Sequence, residues 1–425
     1  MAQAIHARLD ARFGAGETLA TDLPSRAAGS LGDLRLTIYD DLAAVEADWR
    51  AFEAVADGTV FQTFEYLSTW QRHVGARRGV RPAIVVGRDA AGSMLFLFPL
   101  AVRPGRLARE LQWLGSDLCD YNGPLLAPAF TERFTTARFL ALWQEMLRRL
   151  QDHPQLGFDW VNLSKMAAKV GAQPDPMLAL GTTANPSGAY LTRLAPDWES
   201  FYAAKRSSST RRRDRTKRKR LGDMGAVRMV NVEADERPSA LDILMAQKAR
   251  AFARMGVANL FANDGYPEFY RALAGDPQTR ALAHVSRLDV GAVPAALNLG
   301  LVWRGCYYHL LASYDDGEVS RFGPGAAHLH ELMQYAIEHG CHVFDFTIGD
   351  ERYKRDWCDT ELTLYDHIAA VTWRGALVAA AVETRQKLKR FIKQTPALWA
   401  LVSKARALAG SLKQRQAPAE SAAED

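Results

Sequence analysis

The chain has 425 residues and a formal net charge of +5; 48% of its residues are hydrophobic and 24% are charged. This balance is typical of folded globular proteins, and the length suffices for two or three domains. The four cysteines are scattered, and the histidines do not have zinc-ligand spacing. We therefore expect neither a disulfide framework nor a metal site. We expect the protein to be located in the reducing cytoplasm. No apolar run reaches the length of a membrane span, since the best, 94–102, is interrupted by Pro99.

Two basic segments stand apart from the rest of the chain. Residues 205–220 hold ten Lys or Arg and one acid, and residues 385–415 hold nine Lys or Arg and no acid. Because the whole chain carries only +5, the remainder has a net negative charge. Such separation of charge indicates an anionic partner that is met at particular places.

The first elements in chain order fall within residues 31–192, after an N-terminal segment, 1–30, that lacks the apolar core of a signal peptide and is predicted to be flexible. Alternating and helical spacings of apolar residues, separated by turn residues, predict strands and helices here. The predicted strands are 34–39, 81–88, 94–102, 111–114 and 160–163. The predicted helices are 41–55, 64–74 and 131–150.

A similar order of elements follows in residues 193–374. The predicted helices are 240–255, 267–273 and 326–339. The predicted strands are 281–288, 294–303, 306–313 and 341–346. We therefore predict an α/β (α+β) fold of two tandem domains, each a mixed central sheet flanked by helices. Residues 375–425 are predicted to form basic amphipathic helices and a disordered tail.

A glycine turn opens the helix 326–339. Gly323 and Gly325 flank Pro324, and Arg321 adds a positive charge. Free backbone N–H groups and the helix dipole make such a helix start a site for phosphate. A plain strand-to-helix turn is the other interpretation, because short glycine patterns have low specificity.

The strand that follows this helix ends in a loop crowded with acid, base and phenol groups. Asp345 lies inside the apolar strand itself and needs either a partner or a chemical role, and pairing with a nearby Arg or Lys is the alternative. His309 lies in the neighbouring predicted strand and is either a core residue or a proton acceptor. The candidate catalytic residues are His309, Tyr314, Asp345, Asp350, Tyr353 and Lys354.

These motifs carry a resemblance to a known family. The Gly-Pro-Gly turn, its helix and the segment Phe344-Asp-Phe-x-x-Gly-Asp-x-x-Tyr-Lys-x-x-Trp357 resemble the GNAT-like acyltransferases of the FemAB and cellulose-biosynthesis (CelD) type. The similarity continues upstream in residues 61–70, 98–100 and 114–122, and it covers about 34–373. It implies tandem GNAT-like domains and the transfer of an acyl group from a thioester or a charged tRNA.

The resemblance also implies roles for the residues. Arg321, Gly323, Pro324 and Gly325 would grip the pyrophosphate of acyl-coenzyme A, a co-substrate, with no permanently bound cofactor and no metal. An amine or hydroxyl would attack the thioester carbonyl directly, which needs a base, donors for the oxyanion and an acid for the leaving thiolate. The candidate bases are Asp350 and His309, the candidate acids are Tyr353 and Tyr314, and Lys354 is the candidate anion anchor.

The basic segments point to phosphate-bearing partners. Residues 205–220 are either a solvated helix between domains or a surface that binds coenzyme A, lipid or RNA. A nucleic-acid partner is not expected, because no aromatic residues are interleaved with the Lys and Arg residues of this segment. Residues 385–415 alternate apolar and basic residues, with Pro396 between two predicted helices. They fit a helix on an anionic membrane surface or one docked on the protein's own body.

The sequence is compatible with four functions. The favoured one is acyl-coenzyme A-dependent acylation of a long-chain, sphingoid-type amine at the inner membrane surface, since the chain resembles the group that includes bacterial ceramide synthases. The alternatives are acetylation of an exopolysaccharide or its lipid-linked precursor, aminoacyl transfer from tRNA to a cell-wall precursor, and a non-catalytic module that binds anionic lipid.

Overall fold

The structure, a computed structural model, describes Gly32 and residues 34–395. Most of its strands belong to two mixed sheets. In spatial order the first sheet contains β1 (Arg35–Tyr39), β2 (Arg81–Arg88), β3 (Met94–Arg103), β4 (Glu110–Trp113), β6 (Trp160–Ala167), β17 (Leu364–Ala370) and β9 (Thr183–Ala184), with β5 (Leu125–Leu126) paired to β3. The second contains β11 (Val227–Asn231), β12 (Ala283–Val290), β13 (Val293–Trp303), β14 (Cys306–Tyr314), β15 (Val343–Ile348), β10 (Ala189–Arg193) and β16 (Thr360–Leu362). A small separate pair joins β7 (Lys169–Val170) and β8 (Gln173–Pro174).

Helices cover both sheets. In the first half they are α1 (Glu46–Glu53), α2 (Phe64–Trp70), α3 (Phe130–Arg133) and α4 (Thr136–Asp152). In the second half they are α5 (Trp198–Lys205), α6 (Ser208–Met224), α7 (Arg237–Arg254), α8 (Tyr266–Gly275), α9 (Pro324–Glu338) and α10 (Arg352–Arg355), and the last described helix is α11 (Trp373–Gln394).

The two sheets repeat one design, which confirms the predicted fold class. Each begins with three antiparallel pairings, continues with one parallel pairing, and ends with two further antiparallel strands. The parallel pairings are β4 with β6 and β14 with β15. Such pairings need a crossover, and α4 and α9 lie in those crossovers.

Each half of the chain contributes a strand to the sheet of the other half. The sheets therefore do not follow the domain boundaries predicted at residues 192 and 374. β10 pairs with β15 in the second sheet, although most of it was assigned to the first domain. β17 pairs with β6 in the first sheet, although it was assigned to the second. Each strand pairs backbone groups that would otherwise lie at an open sheet edge, and hydrophobic periodicity does not report which edge a strand joins.

A shared core joins the halves. The Phe61 ring lies edge-on to Tyr308, with centroids 5.7 Å apart, and Tyr66 meets Phe269 in the same way at 5.3 Å. All four side chains are buried. Such aromatic pairs add to the hydrophobic free energy of burial, and here they hold the two sheets in one relative position.

Several predicted helices have different limits in the structure. The helix predicted over 41–55 begins at Glu46, and the one predicted over 131–150 begins at Thr136, where the Thr135 hydroxyl accepts a hydrogen bond from the Arg138 N–H at 3.3 Å. The basic segment 205–220 is divided by Ser207, whose hydroxyl caps α6. Local capping chemistry sets these ends more sharply than apolar spacing does.

The predicted amphipathic segment 385–415 is only partly visible. Its first ten residues belong to α11, which begins at Trp373. The helix predicted beyond Pro396 lies outside the described residues. Among the residues that the structure describes, no helix combines the length and apolarity that a bilayer crossing requires.

Candidate active site

The candidate site is built on the gap where β14 and β15 separate. Their parallel register ends with the pair Tyr308 and Asp345, while β14 runs on to Tyr314 and β15 to Ile348. Thr347 takes a φ of +59° beyond the last pair, which is an unusual backbone conformation for a β-branched residue. Opposite it, the ladder with β10 has a bulge. Bulges re-aim strands next to functional sites.

Asp345 is buried between the halves of the chain. Its Oδ1 accepts hydrogen bonds from the Tyr121 hydroxyl of the first half and from the Thr347 N–H, both at 2.7 Å. Burial raises the pKa of Asp345 to about 7, although the two donors act to lower it. The alternative prediction was that Asp345 pairs with a nearby Arg or Lys. Its side-chain partner is instead the phenol of Tyr121.

A second carboxylate, Asp120, lies beside Asp345. It is half-buried, and burial raises its pKa, while Lys165, the Thr347 hydroxyl and Lys354 lower it. The negative charge of Asp120 also raises the pKa of Asp345, because a nearby like charge disfavours ionisation. Burial thus raises the pKa of both carboxyl groups, and pKa values perturbed in this way are typical of functional sites.

Two lysines hold the backbone on either side of the gap. Lys354 is buried; its Nζ donates to the Ile348 carbonyl at 3.0 Å and pairs with Glu351 at 3.0 Å. Lys248 on α7 donates to the Ala312 carbonyl at 3.2 Å, and burial lowers its pKa. Lys354, the predicted anion anchor, is therefore engaged with the backbone at the end of β15.

His309 lies at the first position beyond the paired part of β14, and it is buried. When the Asn298 side-chain amide is oriented so that its oxygen accepts from the Gly300 N–H and the Tyr307 hydroxyl, its nitrogen donates to the His309 Nε2 at 3.1 Å. This network assigns the ring proton to Nδ1. Burial lowers the pKa of His309 to about 3. The nitrogen that could accept a proton is thus already used, which does not favour His309 as the base.

The glycine turn contacts the end of β14. Gly323 has a φ of +71°, in the left-handed region that glycine adopts without strain, and Pro324 follows in the first turn of α9. A Cβ on Gly325 would lie 3.3 Å from the ring of Tyr314, and one on Gly323 would lie 3.9 Å from the Lys217 Nζ of α6. The turn therefore lies between the exposed Tyr314 and the basic helix.

A cavity of about 340 Å³ adjoins this turn between α5, α6 and α9. Trp198 and Tyr202 are stacked in its wall with ring centroids 4.9 Å apart. Arg218 pairs with Glu331 at 2.5 Å along its rim. The cavity gives the start of α9 a lining that is both aromatic and charged.

The remaining predicted residues lie at the edge of the site. Arg321 is exposed, and its guanidinium stacks on Phe322 at 5.0 Å. Asp350 is exposed, and its Oδ1 accepts from the Gly188 N–H at 3.4 Å. The partly exposed Tyr353 ring lies 6.1 Å from Phe346, and burial raises its pKa.

Sequence reasoning missed four residues of this site: Asp120, Tyr121, Lys165 and Lys248. A signal existed for the first two, since the similarity over residues 114–122 contains them, although it assigned them no role. Lys248 sits in a helix among ordinary polar residues, and nothing local distinguishes it. Within the described residues, no group of three or more His, Cys, Asp or Glu is arranged to hold a metal ion.

Comparisons with known proteins show what the sequence and the fold of this chain are similar to. Residues 208–355 match the acetyltransferase (GNAT) domain family, and no curated protein matches the chain. The structure is similar to that of FemX, with 10% identity, a TM-score of 0.55, and coverage of 79% of this chain and 98% of that one. The chain thus shares its overall fold with FemX, and its second half contains the residues that match the GNAT domain.

Two weaker similarities accompany it. A conserved protein of unknown function from Bacteroides thetaiotaomicron has 11% identity and a TM-score of 0.49, covering 79% of this chain and 99% of that one. L-PGS from Bacillus licheniformis has 11% identity and a TM-score of 0.47, covering 82% of this chain and 97% of that one. Neither supports a conclusion about the chemistry of this chain.

Proposed function

We propose that this chain is an acyltransferase that moves an acyl group from acyl-coenzyme A to an amine. The observation that carries the proposal is the contact between the glycine turn and the end of the separated strand. Because Gly325 lies against Tyr314, a phosphate held at the start of α9 would lie beside the gap between β14 and β15. The pantetheine arm that extends from that phosphate, with the acyl thioester at its end, would then enter the gap.

The donor site would combine a helix start with positive charge. The N-terminus of α9 offers its dipole to an anion. Lys217 approaches Gly323 from α6, and the exposed Arg321 precedes the turn. Coenzyme A carries several phosphates, so both positive side chains would have an anionic group to bind.

The transfer would proceed by direct attack of the amine nitrogen on the thioester carbonyl. The N–C bond forms as the C–S bond breaks, the proton of the amine passes to a base, and the thiolate receives a proton. Asp120 is our candidate for the base because it is the half-buried member of the carboxylate pair. Asp345 would position Tyr121 and Thr347. Backbone N–H groups at the edges of the gap would stabilise the oxyanion.

The other predicted catalytic roles remain proposals. Tyr314, exposed beside the glycine turn, is placed to donate a proton to the leaving thiolate. Asp350 and Tyr353 lie on the loop after β15 and would act only if acceptor binding brought them to the gap. Lys354 would act through the backbone at the end of β15, because its ammonium already binds the Ile348 carbonyl.

The identity of the acceptor is the most specific part of the proposal. A long-chain amine of the sphingoid type, acylated at the inner surface of a membrane, is supported by the basic segment 385–415, most of which lies outside the described residues. A sugar amine or hydroxyl of an exopolysaccharide precursor would satisfy the same chemistry. The proposed chemistry does not distinguish these two classes of acceptor, so a panel of amines and hydroxyl compounds is the suitable test.

A charged tRNA is a second candidate donor, and α6 is the observation that favours it. Lys and Arg residues dominate this helix from Arg211 to Arg220, and most of their side chains are exposed to solvent. A surface of this kind binds the phosphates of a polyanion with an affinity that falls steeply with salt. Both donors would present phosphate to the same start of α9.

Binding of the donor is the first experiment. Isothermal titration with coenzyme A should show binding to the wild type and a loss of roughly tenfold or more in affinity for Arg321→Glu and Lys217→Glu, since each reverses a charge at the phosphate. Arg106→Glu, an exposed arginine of the first half, is the matched control and should bind normally. Absence of coenzyme A binding by the wild type, with tight salt-dependent binding of tRNA, would replace the first donor with the second.

Catalysis is the second experiment. Release of free thiol from acyl-coenzyme A of several chain lengths should depend on an added amine. If no amine, hydroxyl compound or lipid extract raises thiol release above that of the coenzyme alone, the acyl-coenzyme A-dependent proposal fails, and the tRNA donor and the non-catalytic interpretation are left.

A further inference from the structure

The outward face of α11 is apolar and exposed. Trp373, Leu377, Leu388 and Phe391 are 71%, 63%, 58% and 60% exposed. Their spacings of 4, 11 and 3 residues are close to multiples of the helical period, so they lie along one face. We name these four side chains the outer stripe.

The opposite face of α11 is already docked on the first sheet. Ala379 is buried there and packs with Ala108 and Trp160. At its start the helix approaches the sheet so closely that a Cβ on Gly375 would lie 1.9 Å from the Asp159 carbonyl oxygen. The helix is therefore held by its inner face, and the outer stripe is not the face that forms this core.

The start of α11 is fixed by hydrogen bonds as well. The Thr372 hydroxyl donates to the Asp159 carboxylate at 2.7 Å, and the backbone N–H groups of Val371 and Thr372 donate to the Asp159 carbonyl at 2.8 and 3.0 Å. This anchoring sets the direction in which the outer stripe points.

Positive charge flanks the outer stripe. By helical geometry Arg374 and Arg385 lie on one side of it, and Lys387, which pairs with Glu383 at 3.4 Å, lies on the other. The Arg374 guanidinium lies 5.4 Å from the centre of the Trp373 ring. From Thr384 to Ala419 the sequence contains no acid, and apolar and basic residues alternate through it. An apolar stripe bordered by bases, with a tryptophan at one end, is the composition of a helix that lies in a lipid interface.

We infer that the outer stripe binds the surface of an anionic lipid bilayer, with α11 lying parallel to it. A second copy of the chain would bring like charges from two helices together and is disfavoured. A soluble anion would leave the four apolar side chains in water. The inference goes beyond the proposed acyl transfer and does not depend on it. Because α11 packs on the first sheet, that sheet would be the one nearest the membrane.

The test is co-sedimentation of the full chain with vesicles, one set of phosphatidylcholine alone and one of phosphatidylcholine and phosphatidylglycerol in equal parts. The wild type should bind the second set more strongly. The triple variant Trp373→Ser, Leu377→Ser, Phe391→Ser should bind it at least roughly tenfold more weakly, since apolar burial supplies part of the affinity. Val55→Ser with Leu107→Ser, two exposed apolar side chains elsewhere, is the matched control and should bind as the wild type does.

Three outcomes would overturn the inference. The first is absence of binding by the wild type. The second is equal binding by the triple variant, which would mean that charge alone recruits the chain. The third is a concentration-dependent dimer in sedimentation velocity that the triple variant loses, without vesicle binding, which would assign the stripe to a second copy. Circular dichroism of the variants checks that the fold is retained, and no readout uses acyl transfer.

Discussion

The Tyr121 hydroxyl donates a hydrogen bond to the Asp345 carboxylate at 2.7 Å, across 224 positions of sequence. It joins the segment after β4 in the first half to the strand β15 in the second. The bond is buried, and neutral and charged hydrogen bonds are stronger where water is excluded. The candidate site is thus shared by both halves, and neither half contains it alone.

Stability should depend on pH through Asp345. Its pKa is about 7 in the folded protein, above the ordinary 3.8, so between these values the folded chain holds a proton that the unfolded chain has released. The free energy of unfolding contributed by this group therefore falls as pH rises, by at most about 1.4 kcal/mol per pH unit. Asp345→Asn should flatten the slope over about pH 4–7 in urea denaturation.

A matched control exists for this prediction. Asp175 is also buried with a pKa raised to about 7, and it accepts a hydrogen bond from the Met177 N–H at 2.9 Å, away from the site. Asp175→Asn should flatten the stability slope in the same way and leave acyl transfer unchanged. An unaltered slope in Asp345→Asn would mean that the carboxyl is ionised in the folded protein.

Asp120→Asn should remove the proposed base. We expect kcat to fall by about 10²- to 10⁴-fold, with the KM for the acyl donor nearly unchanged, because the donor contacts lie at α9. The rising limb of the pH–rate profile should also disappear. Asp117→Asn, three residues earlier, is the control, since Asp117 accepts its hydrogen bond from Tyr266 instead. A full rate in Asp120→Asn would assign the base to another group.

Gly323→Ala should weaken both the fold and the donor site. Placing a Cβ at a φ of +71° costs about 1–2 kcal/mol of unfolding free energy. Gly340, at the other end of α9, has a φ of +74° and open space around its missing Cβ. Gly340→Ala should therefore cost the same free energy while coenzyme A binds normally. Equal affinities of the two variants for coenzyme A would remove the glycine turn from the donor site.

Gly375→Ala should destabilise the docking of α11. A Cβ there would meet a backbone oxygen, the Asp159 carbonyl, at 1.9 Å, so the helix must shift outward at a cost of about 1–3 kcal/mol. Hydrogen exchange should become faster in α11 and in the edge of β6 beside it. Gly222→Ala, in α6 with no heavy atom near its missing Cβ, is the control and should be neutral or stabilising. Unchanged exchange in α11 would mean that the helix start adapts without loss of contact.

Local features of the sequence were enough for the elements and for part of the site. The strand predicted over 81–88 is observed with the same limits, because its central residues, Ala83 to Val86, form an apolar run and turn residues bound the strand. The glycine turn also has the predicted place at the start of α9, since Gly323 adopts the left-handed conformation without strain and Pro324 has a φ fixed near the helical value. In each case the residues that decide the structure are neighbours in the chain.

The sequence by itself determined the repeated order of strands and helices, the basic segments and the glycine turn, because propensity, periodicity and charge are properties of consecutive residues. Only the tertiary structure decided that β10 and β17 cross between the sheets, and that Asp120 and Tyr121 meet Asp345. The same is true of His309, whose acceptor nitrogen is used by Asn298. These depend on which sheet edges pair and on how far water is excluded, and both arise only when distant parts of the chain pack together.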